Sequence, residues 1–338
     1  MKIWLRTKSA GFSSWVVVWQ KLAEALAKQG HEVAPYPFAL PKEWNAADVV
    51  EIWWGDPATW NWSMDNPLLR VGIALSEARS IQSKGKEAAL ANLRRCALLI
   101  CPSEHASSAY REAPLDVPIS VVLFGADTEE FSFVERDWAE ELCFLHLGIT
   151  QFRKGSWLVP ESFRKAFGQD EDVRLVISCP RKKSPMFASL KREYGWDGRI
   201  RFSEDFVSSS FEAYSQSHVL VASHLAEGFG LCILEAMATG MPCLVSRCSA
   251  PLEFFKADYG WWVEMSELYA PVAWCLENTS GFWRLPDVGD LAVKMRLAYE
   301  NREQCQQKGL AGAQYVRSSL TWTHTARAII ELLEGRLL

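Results

Sequence analysis

The chain has 338 residues, 49% of them hydrophobic, enough to form the cores of about two domains. Its formal charge of −5 and pI near 5.8 exclude a generally basic protein that coats nucleic acid or acidic membranes, leaving only local basic patches. No run reaches the ~18 apolar residues of a membrane span, and Met1-Lys2 leads straight into a strand-like run, so neither a span nor a leader is expected. Nine cysteines (Cys96, Cys101, Cys143, Cys179, Cys232, Cys243, Cys248, Cys275 and Cys305) lie mostly in apolar runs without paired zinc-site spacing. They read as reduced thiols of a cytoplasmic protein.

Lys2–Arg6 reads as a strand, residues 8–14 as a small-residue loop, Trp15–Gln29 as an amphipathic helix closed by Gly30, and His31–Pro35 as the next strand. Further strands are expected at Val49–Trp54, Arg70–Leu75, Leu98–Cys101 and Ile119–Phe124, with helices at Glu87–Arg95 and His105–Glu112 between them. Such alternation implies a parallel sheet covered on both faces. Phe131–Glu141 is more polar and reads as a linker, after which the pattern restarts. Strands are expected at Cys143–Leu147, Val173–Ile177, Ile200–Phe202 and Val219–Ala222, and helices at Gly155–Phe167, Pro185–Tyr194 and Ser209–Gln216. The C-terminus reads as helices Leu291–Tyr299, Arg302–Tyr315 and Thr323–Leu338. Six of the sixteen tryptophans, Trp53, Trp54, Trp60, Trp62, Trp261 and Trp262, stand near polar loops. Ordinary packing is the first expectation for them and lining of a carbohydrate cleft the second.

The segment EGFGLCILEAMATGMP, Glu227–Pro242, keeps two carboxylates in a mostly apolar stretch. Leu231–Thr239 has good helix formers and an apolar face, Gly240 stops the helix, and Pro-Cys-Leu-Val-Ser follows as a buried strand. The turn Gly228-Phe229-Gly230 therefore exposes backbone N–H groups at a helix N-terminus, where anions bind readily.

Taken in this order, the motifs resemble the retaining glycosyltransferases of family 4. Glu227 and Glu235, with seven residues between them, match that family's paired glutamates. CPSEHA at Cys101, FGADTEEF at Phe124, LGITQFRKG at Leu147, SAPLEF around Glu253 and LTWTHTA around Trp322 resemble its other elements, so the likeness spans most of the chain. The resemblance implies an α/β GT-B fold: two Rossmann-like domains facing a cleft, with a C-terminal helix crossing back to the first. Residues 1–138 would form the acceptor domain, joined by helix 320–338, and residues 139–319 the nucleotide-sugar domain.

It also implies transfer of a sugar from a nucleotide-sugar donor to an acceptor hydroxyl on a glycan, lipid or nucleic acid, with retention and without a metal or other cofactor. Glu227, Lys154 and Arg153 would be catalytic, and Gly228, Phe229, Gly230, Leu231 and Glu235 would bind the donor. Glu235 suits a ribose diol, since a carboxylate has two acceptor oxygens, and Lys154 suits a diphosphate. One departure is Ile149, which stands where the family has arginine; either Arg153, beside Lys154, reaches the diphosphate instead, or the site holds less positive charge. Gly11, Phe12, Ser13, Asp56, Glu77 and His105 follow strands of the first domain and are the acceptor-side candidates. The basic segment from Pro180 to Arg201 reads first as a solvated helix face and second as a contact for an anionic acceptor. Two rival readings are a sugar-nucleotide epimerase of the same architecture and a catalytically silent nucleotide-binding subunit. A nicotinamide dehydrogenase is disfavoured, because TKSAGFSS lacks G-x-G-x-x-G.

Overall fold

A computed structural model describes residues 1–8, 14–35, 40–62, 64–78, 80–81, 85–179, 184–203, 210–274 and 281–337. They fall into two units, Met1–Gly125 with Leu320–Leu338, and Ala126–Cys275 with Gly281–Ser319.

In the first unit the chain alternates β1 (Lys2–Thr7), α1 (Ser14–Lys28), β2 (Glu32–Pro35), β3 (Val49–Trp54), β4 (Leu69–Ile73), α2 (Lys86–Leu93), β5 (Leu98–Cys101), α3 (Glu104–Arg111) and β6 (Ile119–Val121). The strands form one parallel sheet in the order β2-β1-β3-β4-β5-β6. β3 and β5 are buried along their whole length, as strands covered on both faces are, although β3 carries Glu51 among its apolar residues. Ser103 stops β5 from running on, because its hydroxyl accepts from the Ala106 N–H at 2.9 Å and caps α3. Gly125 ends the unit's first segment at a close approach: a Cβ there would lie 2.0 Å from the Thr321 carbonyl carbon.

The second unit repeats the scheme with β7 (Leu142–Leu147), α4 (Leu158–Ala166), β8 (Val173–Ser178), α5 (Pro185–Tyr194), β9 (Ile200–Ser203), α6 (Phe211–Ser215), β10 (Val219–Ala222), α7 (Leu231–Ala238), β11 (Cys243–Ser246) and β12 (Gly260–Val263). Its parallel sheet runs β12-β11-β10-β7-β8-β9. An antiparallel pair, β13 (Met265–Pro271) and β14 (Phe282–Pro286), comes next, then α8 (Val288–Glu300) and α9 (Arg302–Ser319). The core joins Phe144, Phe163, Phe167, Leu175, Leu244 and Met295. The last helix, α10 (Trp322–Leu337), belongs to the first unit, where the Thr325 hydroxyl donates to the Leu123 carbonyl at 2.9 Å. Among the described residues no helix is long and apolar enough to cross a membrane.

Three points differ from these expectations. Residues 126–138 belong to the second unit, because Arg136 donates to the carbonyls of Thr239 (2.7 Å), Ser217 (2.8 Å) and Tyr214 (3.2 Å). The helix expected from Gly155 starts at Leu158, because Phe152–Lys154 forms a 3₁₀ turn that Gly155 closes in the left-handed region at φ 63°. β12 and the β13–β14 pair were not foreseen, since exposed Tyr269 and Phe282 remove the apolar–polar alternation that would mark a surface hairpin. As expected of packing residues, Trp53, Trp54, Trp60 and Trp62 are buried, and the Trp60 ring covers Gly72, where a Cβ would lie 2.5 Å from it.

Candidate active site

The second unit's chemistry gathers beyond the C-terminal ends of β7 and β10, the edge where parallel sheets carry ligands. The Phe152–Lys154 turn follows β7, and the segment Ser223–Glu227 follows β10. Backbone contacts join the two: the Leu225 N–H donates to the Arg153 carbonyl at 2.8 Å, and the Ser223 hydroxyl to the Gly155 carbonyl at 3.1 Å. Only glycine is accommodated at position 155, because a Cβ would lie 1.8 Å from the Ser223 carbonyl oxygen. Lys154 and Glu227, 73 residues apart, are thereby brought into a hydrogen-bonded ion pair between Nζ and Oε1.

Arg153 approaches the same carboxylate, with Nη1 3.2 Å from Glu227 Oε2 and 2.6 Å from the Ala226 carbonyl. It is 8% exposed and Glu227 7%. The Glu227 backbone N–H is held by the Ser249 hydroxyl at 2.8 Å. Burial pushes the Glu227 carboxyl up, but Lys154, Arg153 and His224 together reverse this and hold it well below the usual carboxylate range. Glu227 is therefore an anion at neutral pH.

Gly230 begins α7 at φ 102°, and no side chain caps the helix. The first-turn N–H groups of Leu231 and Cys232 have no intrahelical acceptor by helix geometry. The Phe229 ring is buried against Phe254 at 5.2 Å and anchors the glycine turn, so that position presents backbone and not side chain. Glu235 is half-buried one turn further along α7. Its Oε2 accepts from the Tyr214 hydroxyl at 2.8 Å. Burial pushes its carboxyl up to about 7, against that hydrogen bond. The helix closes as a Schellman motif: Met241 N–H donates to the Ala236 carbonyl at 3.0 Å, Gly240 N–H to the Met237 carbonyl at 2.9 Å, and Gly240 has φ 78°.

In the first unit Asp56 caps the short turn Pro57–Thr59 by accepting from the Ala58 N–H at 3.0 Å. A ring nitrogen of His105 lies 3.1 Å from the Glu77 carbonyl, tying the start of α3 to the segment after β4. Gly11, Phe12 and Ser13 lie outside the described residues, as do Pro180–Lys183 of the basic segment. Asp170-Glu171-Asp172 has the D-x-D spacing common in metal sites, but it stands at the N-terminal end of β8, and Glu171 pairs with Arg296 at 2.8 Å. Among the described residues no group of three or more His, Cys, Asp or Glu could hold a metal ion.

Sequence reasoning missed Tyr214, Ser249 and His224. Of these, His224 stands three residues before Glu227 and Ser249 opens the SAPLEF segment, whereas Tyr214 lies in no recognised motif. It also missed a charged cluster in the first unit, where Arg6 Nη1 lies 2.6 Å from Glu51 Oε1 and Arg70 Nε 3.8 Å from Glu51 Oε2.

Residues 143–278 match the family model described as Glycosyl transferases group 1. The D-inositol 3-phosphate glycosyltransferase of Corynebacterium glutamicum is 29% identical over 175 residues, 46% of this chain and 41% of that protein. The chain spans about two-fifths of the length of the curated relatives it matches. Among solved structures, sucrose-phosphate synthase from Thermosynechococcus elongatus has a TM-score of 0.69 at 16% identity, covering 99% of this chain and 98% of that one. Anabaena HepE in complex with UDP and glucose has a TM-score of 0.71 at 14% identity, covering 99% and 100%. With its two parallel six-stranded sheets, the chain has the GT-B fold of these glycosyltransferases.

Proposed function

We propose that the protein is a retaining glycosyltransferase that moves a sugar from a nucleoside-diphosphate donor to an acceptor hydroxyl, without a metal. The observation that carries this reading is the convergence of Lys154 and Arg153 on Glu227, in the same loop that leads through Gly228–Gly230 into α7 and Glu235. A donor offers matching groups: a diphosphate for Lys154 and the α7 N-terminus, a ribose diol for Glu235, and sugar hydroxyls for Glu227. The UDP and glucose in the HepE complex support a uridine diphosphate sugar as the first donor to try.

In the proposed reaction, the bond from the anomeric carbon to the donor phosphate oxygen breaks as the acceptor oxygen bonds to that carbon on the same face. The acceptor proton passes to the leaving phosphate. Lys154 meets the charge growing on the diphosphate, which is where preorganised cations lower a barrier most. Glu227, an anion between two cations, accepts from the donor sugar. Arg153 holds Glu227 in place and takes the position of the charge missing at Ile149. Gly11, Phe12, Ser13, Asp56, Glu77 and His105 are proposed to face the acceptor.

Thermal-shift titration with uridine, guanosine and adenosine diphosphate sugars tests the donor class, with UDP-glucose expected to raise the melting temperature. NMR of the product formed in excess chelator reads both the anomeric configuration and the metal requirement. An inverted product, activity that returns only with Mg²⁺ or Mn²⁺, or an epimerised donor would each overturn the corresponding part of the reading.

A further inference from the structure

Two imidazoles are buried behind the Lys154–Glu227 pair, and they differ in their partners. His146 has both nitrogens satisfied, one 2.9 Å from the Val221 carbonyl and the other 2.8 Å from the Ser156 hydroxyl. His224 is 2% exposed, and the Cys248 backbone hydrogen-bonds its ring. Its Nε2 has no partner among the described residues. Leaving a buried nitrogen unpaired is unfavourable, because its lost hydration is not replaced, so its position calls for a partner.

The surroundings identify one. His224, Lys154, Glu227 and Cys232 line a cavity of about 10 Å³, which also touches the strand ends of β7 and β10. That volume is at the lower limit for one ordered water, about 10–15 Å³, and a water needs two to four polar neighbours. Here they are the His224 nitrogen, the Lys154 ammonium and the Glu227 carboxylate. Burial, with the Lys154 and Arg153 charges, lowers His224 to about 4 against the opposing pull of Glu227, so the ring is neutral near pH 7. With the other ring nitrogen turned to the Cys248 backbone, Nε2 offers a lone pair and accepts a hydrogen bond.

We propose that His224 is a positioning residue of the active site, whose Nε2 accepts from one buried water that in turn fixes the Lys154 ammonium beside Glu227. This rests on the glycosyltransferase reading for its effect on turnover, though not for the water itself. Lys154 has three protons and makes one hydrogen bond to Glu227. A second bond through the water would hold its charge at one point as the diphosphate departs, while adding nothing to nucleotide contact.

The test separates the two levels. ¹⁵N-histidine NMR of the whole protein, with His224 assigned by comparison with His224→Gln, should show a neutral ring whose Nε2 is a lone-pair nitrogen in a hydrogen bond. That resonance should shift in Lys154→Met. A protonated Nε2, or a resonance indifferent to Lys154→Met, overturns the proposal. With UDP-glucose as probe, His224→Phe should leave the dissociation constant within about twofold and lower kcat about tenfold, the worth of one hydrogen bond to a charged group. His224→Gln, which restores an acceptor, should recover most of kcat. Equal loss in both variants, or loss in affinity alone, also overturns it. Should the wild type bind no UDP-glucose, the donor reading fails, and the NMR result still decides the histidine's role.

Discussion

Glu51 in the first unit and Glu227 in the second are both nearly closed to solvent, at 0% and 7% exposure, and each stands between two basic side chains. Their carboxyls nevertheless move in opposite directions. Burial raises Glu51 in spite of Arg6 and Arg70, whereas Lys154 and Arg153 outweigh burial at Glu227 and lower it. The geometry explains the difference. Arg6 reaches one oxygen of Glu51 at 2.6 Å, but Arg70 stays 3.8 Å from the other, too far for a hydrogen bond. Both oxygens of Glu227 have a close cation.

The two clusters also occupy different parts of their sheets. Glu51 lies within β3, beside Trp4 of β1 and Arg70 of β4 in the strand register, and the Arg6 guanidinium sits 4.1 Å and 4.3 Å from the Trp4 and Trp53 ring centres. Strand pairing and aromatic walls leave it no freedom. Glu227 lies past the end of β10, between a lysine whose side chain is 21% exposed and a glycine turn. A buried charge in mid-strand belongs to the architecture; one at a strand end is available for chemistry.

The largest effect that would test this division is on stability. Glu51→Ala leaves Arg6 buried without its counter-ion, which should cost about 3–5 kcal/mol. Denaturant unfolding measures it, and UDP-glucose affinity of the folded variant should be unchanged. A loss below about 1 kcal/mol would mean that the cluster is dispensable, and the contrast with Glu227 would fall.

Glu235→Ala should do the reverse, sparing the fold and weakening UDP-glucose binding by on the order of 3 kcal/mol through two lost charge-assisted hydrogen bonds. Tyr214 keeps a second acceptor, the Cys232 carbonyl at 3.2 Å, so its hydroxyl is not stranded. Calorimetry showing wild-type affinity would remove Glu235 from the donor site.

Lys154→Ala should lower kcat roughly a hundredfold, more than it weakens donor binding, because charge grows toward the transition state. Arg153→Ala sharpens the comparison, since its guanidinium is committed to Glu227 and the Ala226 carbonyl. It should lose both turnover and stability, whereas Lys154→Ala should lose turnover alone. Full activity in Arg153→Ala would show that Lys154 and the α7 N-terminus suffice.

The same contrast explains what the sequence disclosed. Glu227, the glycine turn and Glu235 lie within one loop–helix segment, and Lys154 adjoins a glycine whose left-handed conformation closes a turn; such signals are local. The Arg6–Glu51–Arg70 cluster was invisible, because it exists only once strand register sets β1, β3 and β4 side by side. Tyr214 is likewise joined to Glu235 by packing across 21 residues. The β13–β14 pair escaped because its outward face carries Tyr269 and Phe282 where polar residues would have marked it.

The smallest expected effect concerns pH, and it separates the three carboxylates. Glu235 in the free protein is raised to about 7 by burial. A carboxyl whose folded value lies above its unfolded one contributes stability below the unfolded value, about 4.3, and loses it as pH rises through the folded value. Donor binding runs the other way, because a ribose diol donates to the ionised form and so favours loss of the proton. UDP-glucose affinity should therefore rise with pH, by roughly tenfold between pH 6 and pH 8 if the bound form stays ionised throughout. UDP-glucose is the right probe, since its diphosphate has no free terminal group to titrate in that range. Glu227, already held low, adds no slope there, and Glu51 influences stability without touching the nucleotide. Calorimetry at pH 6, 7 and 8 in two buffers of different ionisation enthalpy should show proton release on binding in the wild type and none in Glu235→Gln. A flat affinity in the wild type would mean that Glu235 meets the donor as a neutral acid, or does not meet it, and the slope remaining in Glu235→Gln would tell which group carries the proton instead.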